Sequence, residues 1–297
     1  MGPVVSELRG EDAVLIPNGL LGLLPLHAAS CTDVSALTGR RYAFDSTSLR
    51  YAPSARALLT KCAPDAPRFD TIFAVSEPQP VSASSLPNAE LEVGNVIAYF
   101  TKSRVLAGTN ATRTAVLAEI DGYPILHFAC HAFAPPKPLD GGFVMANDEI
   151  MGLRDFQGLR LSRARVAILS ACETSVQGVE LPDEAVSLAT SLLQAGVSGV
   201  VGSMWSVTDA STMMLMTRFY EQWRNQRLTP AKALTAAQHW IRDSTNGEKL
   251  NYFDSLPHEG RPSEAHSVVL RQLAADDSDG LDFANPSYWA AFCYTGV

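Results

Sequence analysis

The sequence predicts an α/β fold: a mostly parallel sheet with helices on both faces. Strand-like apolar runs alternate with segments of helical spacing along most of the chain, the pattern of a sheet built from crossover units. The runs themselves, such as ILHFAC (125–130) and VAIL (166–169), are continuously apolar, as expected of strands buried on both faces. Two of them end at residues with chemistry to offer, His131 and Cys172. In open parallel sheets, sites form beyond the carboxyl ends of the strands.

Taken in order, residues 13–29 read as a short strand, a Pro-Asn-Gly turn and a second apolar stretch. Residues 41–63 give a strand-like piece and a short helix after Ser54, and 71–80 a buried strand that runs into a Pro-rich loop. Leu91, Ile97 and Phe100 stand at near-helical spacing, predicting a helix over 88–103 with Asn88 as its N-cap. A short strand at 105–108 and a helix at 110–120, capped by Thr109 or Asn110, come next. After the strand ending at Cys130, residues 141–156 suggest a β-excursion and a helical turn. The strand at 164–171 precedes a helix at 182–196, with Pro182, Asp183 and Glu184 in its first turn and Gly196 as its stop. A strand at 198–205 and helices at 209–225 and 229–244 follow. The polar stretch 245–284 reads as a loop or mobile excursion around a short helix, and 288–297 as a closing strand.

Composition narrows the function. The 297 residues are 46% hydrophobic and 18% charged, with a formal net charge of −8. That balance argues against nucleic acid or an anionic membrane surface as a general partner, since both need clustered Lys and Arg. No apolar run approaches the roughly 18 residues that span a bilayer. Five cysteines without a CxxC pair point to a reducing, cytoplasmic setting rather than a disulfide framework. The N-terminus has no signal-peptide pattern. The Met-Gly-Pro start reads as an added leader on a piece of a longer chain; Pro3 argues against myristoylation through Gly2 and Ser6. No phosphate loop is present, and no cofactor is implied.

A thiol attacks a carbonyl as thiolate, and an imidazole nearby can take its proton and then protonate the leaving group. By position, Cys172 reads equally as such a nucleophile and as a small buried hydrophobe. His131, nearer the strand end, is a better base than His127, which reads as a core histidine with a backbone or acidic partner. The run HFACH (127–131) does not make a zinc site, because Cys130 points to the opposite face and no second ligand pair exists. Asp209 and Glu173 are acids near the expected active edge and would favour Arg or Lys in a substrate. Asp209 reads equally as a helix N-cap. Trp205 reads equally as a wall of the substrate groove and as core. Asp140 and Asp148 are weaker substrate candidates.

The stretches ILHFACHAF, VAILSACETS, AGVSGVVGSMWSVTDASTMMLMTRFY, AKALTAAQHW and NPSYWAAFCYTG resemble, in this order, the CHAT domains, caspase-like proteases often attached to TPR repeats. The upstream segments LIPNGLLGLLPLHAA, YAPSARALL and LPNAELEVGNVIAYF look like the family's earlier parts, so the resemblance covers most of the chain. It implies a caspase-like fold and a cysteine endopeptidase of the caspase, separase and gingipain type. His131 would be the base and Cys172 the nucleophile, with the backbone N–H groups of Cys172 and Ala132 holding the oxyanion. Two positions depart from the family: Ala132 and Ser175 stand where glycine is usual. The implied organisation is an N-terminal accessory part, 1–68, and a catalytic core, 69–297. The implied partners are a protein or peptide substrate and an activating TPR-type or other regulatory module, in a regulated bacterial defence or cell-death pathway, with the isolated domain weakly active. The rivals are a catalytically weak or inactive interaction module of the same fold, and a non-proteolytic thiol hydrolase or transferase.

Overall fold

A computed structural model describes residues 7, 8, 10–59, 70–133, 140–171, 187–256, 269, 271 and 273–297. Its centre is an eight-stranded sheet. In chain order the strands are β1 (Asp12–Leu15), β4 (Ser48–Tyr51), β5 (Thr71–Pro78), β6 (Lys102–Gly108), β7 (Ile125–Ala129), β11 (Val166–Ser170), β12 (Gly199–Ser203) and β13 (Phe292–Gly296). In space they lie β1–β4–β13–β12–β11–β7–β5–β6. Each pairing in this sheet is parallel except β12 with β13. Strands β5, β6, β7, β11 and β12 therefore run one way, and β1, β4 and β13 the other.

The apolar runs form strands because both of their faces find cover. Successive side chains alternate between faces. Ile72, Ile125, Ile168 and Val201 pack towards α1 (Ala89–Ile97), α5 (Asp209–Arg224) and α6 (Pro230–Asp243). Phe73, Val75, Leu126, Phe128, Leu169 and Val200 pack towards α2 (Arg113–Glu119), α3 (Leu153–Gln157) and α4 (Leu188–Gln194). Phe128 stacks on Phe143 at 4.6 Å between ring centroids. Each such buried side chain is worth about 1.5–3 kcal/mol over its exposed state.

A small sheet of β8 (Ala132–Phe133), β9 (Gly142–Val144) and β10 (Ile150–Gly152) follows β7, and β2 (Ser30–Thr32) pairs with β3 (Arg40–Tyr42). The first 59 residues thus supply two strands of the main sheet. They are pinned there by buried His27, whose Nε2–H donates to the Ala290 carbonyl at 2.9 Å. That donation fixes the tautomer, so Nδ1 accepts from the Tyr51 hydroxyl at 2.8 Å. The boundary expected at 68/69 falls outside the described residues.

Several bounds differ from the sequence reading. The first helix stops at Ile97, and β6 begins at Lys102 instead of 105, because the 98–101 turn lets the chain re-enter the sheet beside β5. Asn88 occupies the N-cap position of α1 without a side-chain cap bond. Thr112, not Asn110 or Thr109, caps α2 by accepting from the Ala115 N–H. Ser187 caps α4 through the Thr190 N–H, and Gly196 ends it at a φ of +111°; Pro182, Asp183 and Glu184 lie outside the described residues. The polar stretch from 245 opens with a ten-residue helix, α7 (Asn246–Ser255), started by a Thr245–Glu248 capping box. Its Phe253 is buried. The last apolar stretch begins as a helical turn, α8 (Pro286–Trp289), before β13. Among the described residues no helix is long and apolar enough to cross a membrane.

Candidate active site

The strand order changes direction at one place. The chain steps from β5 outward to β6, returns to the other side of β5 as β7, and continues to β11 and β12. Such a switch leaves a crevice beyond the carboxyl ends of the two strands between which it occurs. Here those are β5 and β7, and the crevice is flanked by loop 79–88 and residues 130–133.

His131 stands two residues beyond β7, half-buried, with its Nε2 2.7 Å from the Ser84 carbonyl oxygen. A carbonyl oxygen only accepts, so Nε2 carries a proton and, in the neutral ring, Nδ1 carries the lone pair. His131, Asp209, Glu92, Ser170, Ala171 and Thr212 line one small cleft. Cys172 and Glu173 lie outside the described residues; Ala171, which precedes them, has its carbonyl held by the Ser203 hydroxyl at 2.5 Å.

Ala132 opens β8, at the edge of the small sheet. The Val144 N–H donates to the His131 carbonyl at 2.8 Å, which makes 131 and 144 a hydrogen-bonded pair of the ladder. The next pair, Ala132 and Phe143, is then the non-bonded kind, and the Ala132 N–H points away from β9. The Ala132 methyl packs on the apolar side of the sheet.

Asp209 is the first residue of α5; the cap is Thr208, whose hydroxyl accepts from the Ser211 N–H. The N-cap reading of Asp209 is therefore displaced by one residue. Instead, Asp209 Oδ2 accepts from the Asn88 backbone N–H at 2.8 Å and from Asn88 Nδ2 at 2.7 Å. Burial pushes its pKa above the ordinary value, against those hydrogen bonds, and nearby Glu92 and Glu77 push the same way.

Behind the cleft, His127 is fully buried, with Nε2 3.0 Å from Glu92 Oε1 and Nδ1 3.2 Å from the Tyr220 hydroxyl. The Glu92 contact is out of line for a well-directed hydrogen bond. Burial, reinforced by Glu92, raises the Tyr220 pKa well above its ordinary value. His127 thus has the acidic neighbour expected of a core histidine, and Cys130 is buried among residues of the opposite face. Among the described residues Trp205 is not one of those lining this small cleft; its indole N–H donates to the Ser287 carbonyl at 3.4 Å. Asp140 is exposed, and Asp148 accepts from the Ser82 N–H and hydroxyl, both at 2.7 Å. Among the described residues no cluster of His, Cys, Asp or Glu could hold a metal ion.

Ser84 and Glu92 escaped the sequence reading, which had Asn88 only as a helix cap. Ser84 acts through a carbonyl that every residue has, so no side-chain signal exists. Glu92 could have been found, as an acid three residues after Ala89 and four before Val96 on the buried stripe of α1.

A family model described as CHAT domain matches residues 1–297. No curated protein sequence matches the chain significantly. Among solved structures, a chain of the Saccharomyces cerevisiae separase–securin complex superposes with a TM-score of 0.57 at 13% identity, covering 96% of this chain and 15% of that one. A second structure of the same complex gives 0.55 at 12% identity, covering 96% and 16%. The complex of Porphyromonas gingivalis RgpB pro- and mature domains gives 0.49 at 10% identity, covering 84% and 55%. The chain thus spans less than two thirds of each of these longer chains, and its likeness to the separase–securin structures is one of fold.

Proposed function

This chain belongs to the CHAT domain family, and from that membership we propose that it is a cysteine endopeptidase working through His131 and Cys172. The observation that carries the reading is the His131–Ser84 hydrogen bond, 2.7 Å from ring nitrogen to carbonyl oxygen. It holds the ring in the tautomer a base requires, with the lone pair on Nδ1.

In the proposed cycle, the Cys172 thiol gives its proton to Nδ1 and the thiolate attacks the scissile carbonyl carbon. The oxyanion is met by the N–H groups of Ala132 and Cys172; in a serine protease, removing one such donor costs roughly 3–4 kcal/mol. The outward direction of the Ala132 N–H supports its part in this. Collapse breaks the C–N bond, and the leaving amine takes the proton from Nδ1. Water, deprotonated by the same nitrogen, then hydrolyses the thioester and frees the thiol.

The substrate is a protein with Arg or Lys before the cut. Asp209 and buried Glu92 line the cleft, and both Asn88 bonds fall on Asp209 Oδ2, leaving Oδ1 to meet a cation. Glu173 is a further candidate contact. Residues 1–68 serve as an accessory part and 69–297 as the catalytic core. An activating module, of TPR or other type, and a setting in regulated bacterial defence or cell death complete the reading; both rest on the resemblance. A binding module that keeps the fold without turnover is the rival, favoured by Ala132 in place of glycine.

The test is a set of peptides varied at the position before the cut, assayed with wild type and Cys172→Ala. Cleavage after Arg or Lys that disappears in the variant supports the reading. Turnover undiminished in Cys172→Ala sinks it, and a wild type that neither cleaves nor reacts with a thiol-directed acylating probe leaves the binding module in its place.

A further inference from the structure

Glu77 sits at a bulge near the end of β5, between the register positions Ser76 and Pro78, with a φ of +37°. That region of backbone space suits glycine and strains a side chain with a β-carbon. A glutamate there spends stability that glycine or asparagine would keep, and such strain gathers where a site requires it. The bulge aims the carboxylate into loop 79–88. Oε1 accepts from the Ser85 hydroxyl at 2.7 Å and from the Leu86 N–H at 2.8 Å, with Gln79 Nε2 at 3.4 Å.

Those two donors directly follow the peptide that matters. The Ser84 carbonyl shares its rigid peptide plane with the Ser85 nitrogen. Anchoring Ser85 by its side chain and Leu86 by its N–H therefore fixes where the Ser84 oxygen points, and that oxygen holds His131. Asp148 ties the same loop at Ser82. We infer that Glu77 is a positioning residue: through Ser85 and Leu86 it sets the Ser84 carbonyl, which sets the tautomer and direction of the His131 ring. The inference rests on the reading of His131 as the base.

Glu77→Gly is the informative variant, because it removes the carboxylate while relieving the backbone strain. The full chain should stay folded with an unchanged or higher Tm. Its kcat/KM should fall roughly 10- to 100-fold, the loss typical of a reacting group displaced by about 1 Å. Glu77→Gln, which keeps an accepting oxygen, should recover most of that loss. Nitrogen-15 NMR of His131, assigned with His131→Gln, should show a protonated Nε2 and a bare Nδ1 in wild type and an averaged pair in Glu77→Gly. Should Glu77→Gly fail to fold, Ser85→Ala, which removes one anchor, is read by the same two measurements. Unchanged kcat/KM together with an unchanged nitrogen pattern overturns the inference. The nitrogen pattern needs no turnover, so it judges Glu77 even if Cys172→Ala shows the peptidase reading to be wrong.

Discussion

The two faces of the central sheet are built from different chemistry. On the face towards α2, α3 and α4, the strands present Phe73, Val75, Leu126, Phe128, Leu169 and Val200. On the face towards α1 and α5, buried His127 lies against Glu92 and Tyr220, and Asn95 donates to Thr217 at 3.1 Å. Burying polar groups is expensive unless they are paired, so a fold with a dry alternative does not place them at random. They sit on the face whose upper end opens as the cleft of His131 and Asp209. Both faces supply stability by apolar burial; the face that carries His127 also holds buried polar groups that orient one another.

The sharpest break in that comparison would come from the cleft itself. Cys172→Ala and His131→Ala should each lower kcat/KM by at least roughly 10³-fold, and His131→Ala should change Tm little, since that half-buried ring stands beyond the end of β7. Ready cleavage by either variant would sink the proposed dyad.

On the dry face the effect should run the other way. Phe128→Ala should cost about 3–5 kcal/mol in urea unfolding, while the fraction that remains folded keeps its kcat/KM. A large loss of turnover at constant folded fraction would show that the two faces are not separable.

A third expectation concerns pH. Burial lowers the His27 pKa from 6.5 to about 4. Native His27 therefore stays neutral where the unfolded chain takes up a proton. Its contribution is full above pH 6.5 and is lost as pH falls towards 4, at about 1.4 kcal/mol per unit within that window. His27→Gln should flatten this part of a stability–pH profile measured by urea unfolding. Parallel profiles for the two proteins would show that the knot to Tyr51 and Ala290 does not bear on acid sensitivity.

Asp209 should show function and stability in opposition. Its raised pKa means that the protonated form suits the fold: the favourable state is complete below the ordinary 3.8 and is lost as pH rises through the higher native value. Asp209→Asn should thus raise Tm at neutral pH. It should also lower kcat/KM roughly 10- to 100-fold for peptides with Arg or Lys before the cut, as for loss of a partly buried charge partner. Uniform loss across all peptides would point to a positional role through Asn88 instead.

The smallest change is expected at Ala132. Its methyl packs against the dry side and its N–H points away from β9. Ala132→Gly should therefore change kcat/KM by a few-fold at most, while costing roughly 0.5–1 kcal/mol of stability through added backbone freedom.

Much of this architecture was legible along the chain. The apolar runs at 71–75, 125–130 and 166–169 are strands because nothing but a doubly covered sheet satisfies them. The strand-end position of His131 was readable for the same reason. Helix starts were less legible: Asn110 and Asp209 are as good caps as Thr112 and Thr208 by residue type, and Asn88, though it stands at the N-cap position, makes no side-chain cap bond. The competing side chains were claimed elsewhere, Asn88 and Asp209 by each other across 121 residues.

What local chemistry determined was the fold class, the strand runs and the place of His131 just beyond one of them, since periodicity and strand-end position are properties of contiguous sequence. What the tertiary structure decided was everything that joins distant parts. The crevice exists because β7 returns on the far side of β5. The tautomer of His131 is set by a backbone carbonyl 47 residues away, and the carboxylate that aims that carbonyl stands at a bulge which only strand pairing creates. Backbone carbonyls and bulges carry no residue-type signature, so no reading of the chain by itself could have placed them.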